Sequence, residues 1–393
     1  MSKKRKINTS FKIGILGGGQ LGKMLCLAAQ PWEITTCILD ADPSFPAGSV
    51  CDEFTVGNFK DYDDVYAFGK DKDIITIEIE HVNTEALKQL IKEGKTVHPN
   101  PYKLDIIKDK YLQKKHFDEH RLPVSSYTHY DSANEIKEAI TAGQLSIPFV
   151  QKTRTAGYDG RGVAIIKTKQ DLTSKLLDAP SLIEPLVDIK KELSVVVAQN
   201  ESGEIKAFPP VEMDFNPEAN LVEWVISPAL ISERLEAEAV EIAIKAIKSL
   251  DVCGLLAVEL FLTQDDQILI NEVAPRPHNS GHHTIDAAYT SQYQQHLRGI
   301  LDWPLGNTNN HTPALMVNLL GAPNHTGTAV YEHVDKCMGL DGVKMHLYGK
   351  AITKPFRKMG HITILDTDLE SAKNKARFIK EHLTITTEHE SNS

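Results

Sequence analysis

Two acidic residues, Glu259 and Glu272, lie on segments whose apolar and polar residues alternate as in β-strands. These segments, 255–262 and 268–273, are separated by the short polar stretch 263–267, which suits a hairpin turn. A turn centred on that stretch places Glu259 directly opposite Glu272. The sequence therefore predicts two carboxylates side by side on one face of a hairpin.

Opposed carboxylates with Cβ atoms about 5 Å apart repel each other and destabilise a sheet. A divalent cation reverses that penalty, and Mg²⁺ suits a site with few carboxylates because it keeps waters and takes substrate phosphates as further ligands. The alternative is a solvated hairpin face with no ligand. The polar stretch 274–282 that follows the second strand favours a binding site.

A second glycine loop, Gly157 to Gly162, lies between two predicted strands, 149–152 and 163–166, with Lys152 just before it. No Gly-Lys-Ser/Thr opens a helix here, so this is not a Walker loop. A glycine hairpin with free N–H groups and a nearby lysine can close over a triphosphate. The alternative is a mobile surface hairpin. Glu184 to Val187 could likewise hydrogen-bond an adenine edge or be a plain edge strand.

Near the N-terminus, Gly17, Gly19 and Gly22 form a G-x-G-x-x-G turn between a predicted strand, 12–16, and a predicted helix. With Asp40 at the end of the next strand, the pattern is typical of a dinucleotide-binding βαβ unit. The same turn also suits a phosphate, or close packing of strand on helix. The turn alone does not distinguish these functions.

The composition is that of a globular protein. The chain has 393 residues, of which 41% are hydrophobic and 24% charged, and this length allows two or three domains. The net charge of −10 argues against nucleic acid or an acidic membrane as a partner. The five cysteines have no metal-like spacing, and neither a signal peptide nor a membrane span is indicated. A cytoplasmic location is expected.

Further along the chain, helices are predicted over 84–92, 103–120, 235–250 and 287–301. Alternating strands and helices predict an α/β fold whose central part is α+β. The predicted domains are a basic flexible tail (1–10), a Rossmann-like N-terminal domain (11–101), a central domain (102–303) with a mobile lid (125–187), a C-terminal module (304–380) and a flexible tail (381–393).

Several of these motifs occur together in one known family. They are Gly17 to Gly22, Thr153-Arg154 before Gly157 to Gly162, Ala274 to His282, Asn318 to Gly321, His346 to Lys350 and Arg357 to His361. In order and spacing the chain resembles the N5-carboxyaminoimidazole ribonucleotide synthases, which have the ATP-grasp fold. The resemblance covers roughly residues 13–365, and the stretch from Ala274 to His282 is its most specific part.

The resemblance implies ATP- and bicarbonate-dependent carboxylation of the amine of 5-aminoimidazole ribonucleotide, with Mg²⁺, by a homodimer. It implies that the metal ligands are Glu259 and Glu272. The implied ATP-binding residues are Lys110, Lys152, Gly157, Tyr158, Asp159, Gly160, Arg161, Gly162, Glu184, Pro185, Leu186, Val187, Glu192, Asn271 and Glu272. The implied ribonucleotide-binding residues are Gln20, Leu21, Glu80, Lys350, Arg357 and Lys358. The implied catalytic residues are Asp159, Arg276 and Asn279.

Two alternatives remain: a related formate-using transformylase, against which the stretch 274–282 argues, and a nicotinamide dehydrogenase, which rests on Gly17 to Gly22 alone. The chain also departs from the family pattern. Lys110 stands where an Arg is usual, which keeps the charge but loses the planar fork. No nucleotide-contacting His follows Glu212, and Ala156 and Val163 replace common Gly and Gln residues.

Overall fold

The computed structural model of the protein describes residues 7–155, 162–216 and 221–388. The N-terminal strands are β1 (Lys12–Leu16), β2 (Thr35–Asp40), β3 (Glu53–Val56), β4 (Ile74–Ile77) and β5 (Thr96–Val97). The N-terminal helices are α1 (Gln20–Ala29), α2 (Tyr62–Gly69) and α3 (Thr84–Lys92). The strands form a parallel sheet in the order β3-β2-β1-β4-β5. This confirms the predicted Rossmann-like architecture.

The short apolar strand β1 is central in this sheet, and both of its faces are covered. Ile13 and Ile15 pack with α1 on one side, while Leu16 packs with α2 and α3 residues on the other. Strands buried on both faces carry continuous apolar runs, as β1 does. The ends of these parallel strands therefore hold the first glycine turn rigidly.

The central part begins with α4 (Pro101–Lys108) and α5 (Lys110–Glu119). The single helix predicted over 103–120 is wrong, because Asp109 has an extended backbone between the two helices. The Asp109 carboxylate accepts hydrogen bonds from the N–H groups of Tyr111 and Leu112 and so caps α5. The break places Lys110 at the first turn of a new helix.

A small antiparallel sheet follows. It contains β6 (Thr128–Tyr130), β7 (Phe149–Thr153), β8 (Val163–Ile166) and β9 (Ser181–Pro185) in the order β6-β9-β7-β8, with α6 (Ala133–Thr141) and α7 (Asp171–Ser174). The antiparallel pairing of β7 with β8 confirms the predicted hairpin that carries the second glycine loop. Residues 156–161 of that loop lie outside the described residues.

A larger sheet carries the carboxylate hairpin. The strands that follow along the chain are β10 (Ile189–Gln199), β11 (Ile205–Ala207), β12 (Val211–Asn216), β13 (Leu221–Ser227), β14 (Gly254–Thr263) and β15 (Ile268–Ala274). The helices in this part are α8 (Glu233–Leu250), α9 (Thr284–Ala287) and α10 (Gln292–Ile300). Helix α8 packs Ala239, Ala243 and Ile247, spaced four residues apart, against the sheet. The single helix predicted over 287–301 is wrong, because Ser291 and Gln294 form a capping box that starts α10 anew.

The C-terminal elements are β16 (Ala314–Leu320), β17 (Gly327–Glu332), α11 (Val334–Met338), β18 (Val343–Leu347), β19 (Ile352–Thr353), β20 (Lys358–Leu365), α12 (Leu369–His382) and β21 (Thr384–Thr387). The large sheet runs in the order β15-β14-β10-β12-β13-β16-β20-β18, so C-terminal strands extend the sheet of the central part. The C-terminal module therefore shares a sheet with the carboxylate hairpin formed by β14 and β15.

Both predicted tails include residues that contact the folded part of the protein. Ile7 packs against the N-terminal core, whereas residues 1–6 lie outside the described residues. Strand β21 pairs with β17 and buries Ile385, although residues 389–393 again lie outside. Over the described ranges, no helix has the length and apolar character needed to span a membrane.

Candidate active site

The two predicted metal ligands face each other as expected. In the pairing of β14 with β15, Glu259 lies opposite Glu272. The register shifts directly after this pair, so that Leu260 lies opposite Ile270 and Asn271 becomes the extra residue of a β-bulge. The Asn271 amide consequently reaches the Glu259 carboxylate, at 3.4 Å. The Asn271 NH₂ group thus faces Glu259 while its oxygen accepts from Lys152, so the two carboxylates are the oxygen groups that this hairpin offers to Mg²⁺.

The carboxylate pair is electrostatically frustrated. Burial, and next the charge of Glu272, raise the pKa of Glu259. Burial alone would also raise the pKa of Glu272, but the charge of Lys110 outweighs that effect and lowers it. The His278 imidazole lies 3.5 Å from Glu259 on the other side. Two carboxylates therefore lie close together at a buried site, an arrangement that a bound cation would stabilise.

Two lysines, both predicted to contact the nucleotide, lie beside these acidic residues. The Lys110 ammonium contacts the Glu272 carboxylate. The Lys152 ammonium donates to the Asn271 side-chain oxygen at 2.8 Å and lies 3.3 Å from the Glu184 carboxylate. Ammonium groups beside a carboxylate pair are suited to hold the phosphates of a nucleotide.

Glu184, predicted in the nucleotide site, has a buried side chain that is only 3% exposed. Its carboxylate contacts Lys114 and Ser125 as well as Lys152. Sequence reasoning missed Lys114 and Ser125. Leu186, two residues further on, is exposed. Hence the backbone of 184–187, rather than the Glu184 carboxylate, is left to contact a ligand.

Glu192 lies on β10, the strand beside β14, with Phe261 as its cross-strand neighbour. Burial raises the pKa of Glu192 to about 7, and the charge of Lys152 offsets only part of this. A buried carboxylate near a lysine is a good acceptor for the hydroxyl groups of a ribose. The charge of the Glu192 carboxylate therefore changes near neutral pH.

The base of the second glycine loop is braced at the junction of α4 and α5. The Arg154 guanidinium lies 2.5 Å from the Asp109 carboxylate, and the Arg154 carbonyl accepts from the Lys110 N–H at 2.9 Å. Gly162 has a φ of 76°, which favours glycine, and its carbonyl accepts from the Thr153 N–H. The predicted ligands Gly157, Tyr158, Asp159, Gly160 and Arg161 lie outside the described residues.

The first glycine turn is filled by the protein's own carboxylates. The Asp40 carboxylate accepts from the Gly18 N–H at 2.7 Å, and the Glu78 carboxylate accepts from the N–H groups of Gly19 and Gly22, both at 2.6 Å. A Cβ on Gly19 would lie 2.5 Å from a Glu78 oxygen. These N–H groups are therefore occupied by carboxylates, which argues against a bound pyrophosphate and against the dehydrogenase alternative.

Glu80, predicted to bind the substrate, meets Arg276, predicted to be catalytic, across the domains. The Arg276 guanidinium lies 2.8 Å from the Glu80 carboxylate. Asn279 and Asn318 exchange two hydrogen bonds of 2.8 Å, and Asn318 also donates to the Val222 carbonyl. Asn318 thus fixes the orientation of Asn279, a role visible only once β16 is placed beside the loop.

The predicted phosphate-binding residues are only partly brought together. The Lys350 ammonium donates to the Lys358 carbonyl at 2.7 Å, whereas Arg357 donates to the Ile352 carbonyl. Lys23, which sequence reasoning missed, donates to the Tyr348 carbonyl at 3.1 Å. Helix α1, which also carries Gln20 and Leu21, is thereby joined to the turn that carries Lys350.

Three family models match successive parts of the chain. The ribonucleotide synthetase preATP-grasp domain matches residues 10–108, the ATP-grasp domain matches 115–293, and the phosphoribosylaminoimidazole carboxylase C-terminal domain matches 314–375. These confirm the ATP-grasp fold that the sequence predicts.

Relatives agree along nearly the whole chain. A phosphoribosylaminoimidazole carboxylase of Candida glabrata is 38% identical over 94% of this chain, which spans 66% of that protein's own length. The N5-carboxyaminoimidazole ribonucleotide synthase of Bacillus subtilis is 36% identical, over 90% of this chain and 91% of that protein.

Solved structures agree as well. The N5-carboxyaminoimidazole ribonucleotide synthetase of Thermotoga maritima has a TM-score of 0.88 and 41% identity, covering 96% of this chain and 100% of that chain. The synthase of Aspergillus clavatus, in complex with ADP and 5-aminoimidazole ribonucleotide, has a TM-score of 0.86 and 31% identity, covering 95% of this chain and 98% of that chain.

Proposed function

Since the chain belongs to the N5-carboxyaminoimidazole ribonucleotide synthase family, we propose that it carboxylates the amine of 5-aminoimidazole ribonucleotide, using ATP and bicarbonate. The products are N5-carboxyaminoimidazole ribonucleotide, ADP and phosphate. The observation that carries the proposal is the opposed pair Glu259 and Glu272, flanked by the ammonium groups of Lys110 and Lys152. This is the charge pattern that a metal-bound triphosphate requires.

At the nucleotide end, Glu259 and Glu272 hold Mg²⁺, which neutralises phosphate charge when it is bound. Lys152 and Lys110 bind phosphate oxygens as point charges. The backbone from Glu184 through Pro185 and Leu186 to Val187 binds adenine, and Glu192 binds the ribose. The glycine loop covers the phosphates with Gly157, Tyr158, Asp159, Gly160, Arg161 and Gly162. Asn271 is the remaining ATP-binding residue. The segment 125–187 that carries this loop acts as a lid.

At the acceptor end, Gln20, Leu21 and Glu80 contact the ribonucleotide, and Lys350, Arg357 and Lys358 bind its phosphate. Asp159, Arg276 and Asn279 lie at the reacting amine and bicarbonate. The Glu80 carboxylate holds the Arg276 guanidinium at 2.8 Å, and Asn318 holds Asn279, so both groups are oriented before the substrate arrives.

Bicarbonate is a poor electrophile, and the reaction therefore has two steps. A bicarbonate oxygen attacks the γ-phosphorus of ATP, and the bond to the bridging oxygen breaks to release ADP. The amine nitrogen attacks the carbon of the resulting carboxyphosphate and phosphate leaves, or it attacks CO₂ that forms after phosphate has left. In both cases the nitrogen loses a proton. Exclusion of water protects the unstable intermediate.

The test is ADP release by the purified protein with Mg²⁺, ATP and bicarbonate. Aminoimidazole ribonucleotide should accelerate the release, and Glu272→Ala should abolish it, while Glu381→Ala at the far end of the chain should leave it unchanged. ADP release that is indifferent to the ribonucleotide would contradict the proposal.

We also propose a cytoplasmic homodimer. All five cysteines are thiols rather than disulfides, and burial raises the pKa of Cys26 and Cys37 to about 12, which keeps these two unreactive. The net charge of −10 supports small anionic substrates bound in local basic pockets rather than nucleic acid or a membrane as partner. Light scattering after gel filtration tests the dimer, and a monomeric mass would contradict it.

A further inference from the structure

A buried cluster behind the nucleotide site gathers two ammonium groups around one carboxylate. Lys114 lies 2.7 Å from one Glu184 oxygen, and Lys152 lies 3.3 Å from the other. Ser125 donates to Glu184 at 2.8 Å and accepts from Lys114 at 2.7 Å. Lys114 and Glu184 are 4% and 3% exposed, so neither group reaches a ligand directly. The cluster joins α5 to β7 and β9.

The charges in this cluster do not balance. One carboxylate faces two lysines, so one positive charge remains. The shorter hydrogen bond of Lys152 is to Asn271, at 2.8 Å, whereas the shorter contact of Glu184 is to Lys114. The Glu184 carboxylate is therefore neutralised mainly by Lys114, and the remaining positive charge lies on Lys152, beside the carboxylate hairpin.

We infer that Lys114 is a positioning residue for ATP: it pairs with Glu184 and so leaves the Lys152 charge available to the phosphates. The inference rests on the proposed function, since it concerns the same nucleotide site. Without Lys114, Lys152 is the cation that remains in contact with the buried Glu184 carboxylate among the described residues. A buried charge is costly unless it is paired. Lys152 would then turn from the phosphates towards Glu184.

The electrostatics of the cluster agree with this arrangement. Burial lowers the pKa of Lys114 to about 8, although the charge of Glu184 opposes the effect. Burial alone would raise the pKa of Glu184, but the charges of Lys152 and Lys114 outweigh it and lower the pKa. Glu184 is thus an anion whose charge must be matched from within the cluster.

The experiment measures the affinity of the full-length protein for Mg²⁺-ATP by calorimetry, without bicarbonate or ribonucleotide. Lys114→Met should weaken binding by about tenfold or more, because it diverts a charge-assisted hydrogen bond. The double variant Lys114→Met with Glu184→Gln removes both charges, leaves the backbone that is proposed to bind adenine, frees Lys152 again and should bind at least about threefold more tightly than Lys114→Met. Lys115→Met, an exposed neighbour that pairs loosely with Glu119 at 3.8 Å, is the matched control and should bind as wild type.

A merely structural role for Lys114 would make the double variant bind no better than Lys114→Met, and that result would overturn the inference. Wild-type affinity in Lys114→Met would overturn it too. If the single variant does not fold, the double variant decides, since a loss of tenfold there contradicts a role through charge balance. A wild-type protein that binds no nucleotide would overturn the proposed function and this inference together, whereas the other results leave the function standing.

Discussion

Glu259→Gln should stabilise the ligand-free protein while abolishing its activity. Glu259 lies directly opposite Glu272, and burial and that neighbouring charge raise its pKa. Two full charges about 5 Å apart repel by about 3 kcal/mol at an effective dielectric constant of about 20. Lys110 beside Glu272 offsets part of this. The neutral amide should therefore raise the free energy of unfolding by about 1–2 kcal/mol.

The effect has a defined pH dependence. The folded pKa of Glu259 lies above its unfolded value, so the folded wild type binds more protons and loses stability as the pH rises through the folded pKa. Glu259→Gln lacks that loss. Its advantage over the wild type should therefore be absent at acidic pH and fully present at alkaline pH.

The assay is thermal unfolding of the wild type and of Glu259→Gln from acidic to alkaline pH, with and without Mg²⁺-ATP. Mg²⁺-ATP should raise the melting temperature of the wild type and not that of the variant. Glu212→Gln is the control, because Glu212 lies in the same sheet but pairs with Lys191 at 2.5 Å, and its loss should not stabilise. A ligand-free Glu259→Gln less stable than wild type at alkaline pH would refute the reasoning.

Three further predictions concern single positions. Because burial raises the pKa of Glu192 to about 7, KM for ATP should rise as the pH falls through that value. Glu192→Gln should raise KM and remove this pH dependence of KM, and a pH profile that is unchanged in the variant would contradict the prediction. Gly19→Ala places a Cβ 2.5 Å from a Glu78 oxygen and should destabilise the protein by about 1–3 kcal/mol. Gly18→Ala, whose Cβ would lie 3.2 Å from its nearest atom, should destabilise it less, and equal melting temperatures of the two variants would refute this prediction. Lys350→Met should raise KM for the ribonucleotide about tenfold without changing ATP affinity, and loss of both affinities would place Lys350 elsewhere.

The carboxylate hairpin was predictable because it depends on local signals. The alternation of residues along β14 and β15, and the length of the polar turn, determine which residues face each other. The bulge at Asn271 was not predictable, since an extra residue leaves the alternation on either side intact. That bulge brings Asn271 to the same side as Glu259.

Contacts between distant segments were beyond sequence reasoning. Glu78 binds the N–H groups of a turn more than fifty residues earlier, and Lys114 binds Glu184 across two elements. Neither has a local pattern that distinguishes it from an ordinary charged residue. The helix break at Asp109 did have a signal, because Asp is a favoured N-cap, but the continuous charged run concealed it.

The central claim is transfer of the bicarbonate carbon to the amine of 5-aminoimidazole ribonucleotide at the expense of ATP. The most direct measurement follows isotopically labelled bicarbonate by carbon NMR in the presence of the protein, Mg²⁺-ATP and the ribonucleotide, with ADP quantified in parallel. We expect a labelled carbamate on that nitrogen, formed in equal amount to ADP and only with all three substrates. Label entering from formate instead, or ADP released with no labelled product, would contradict it.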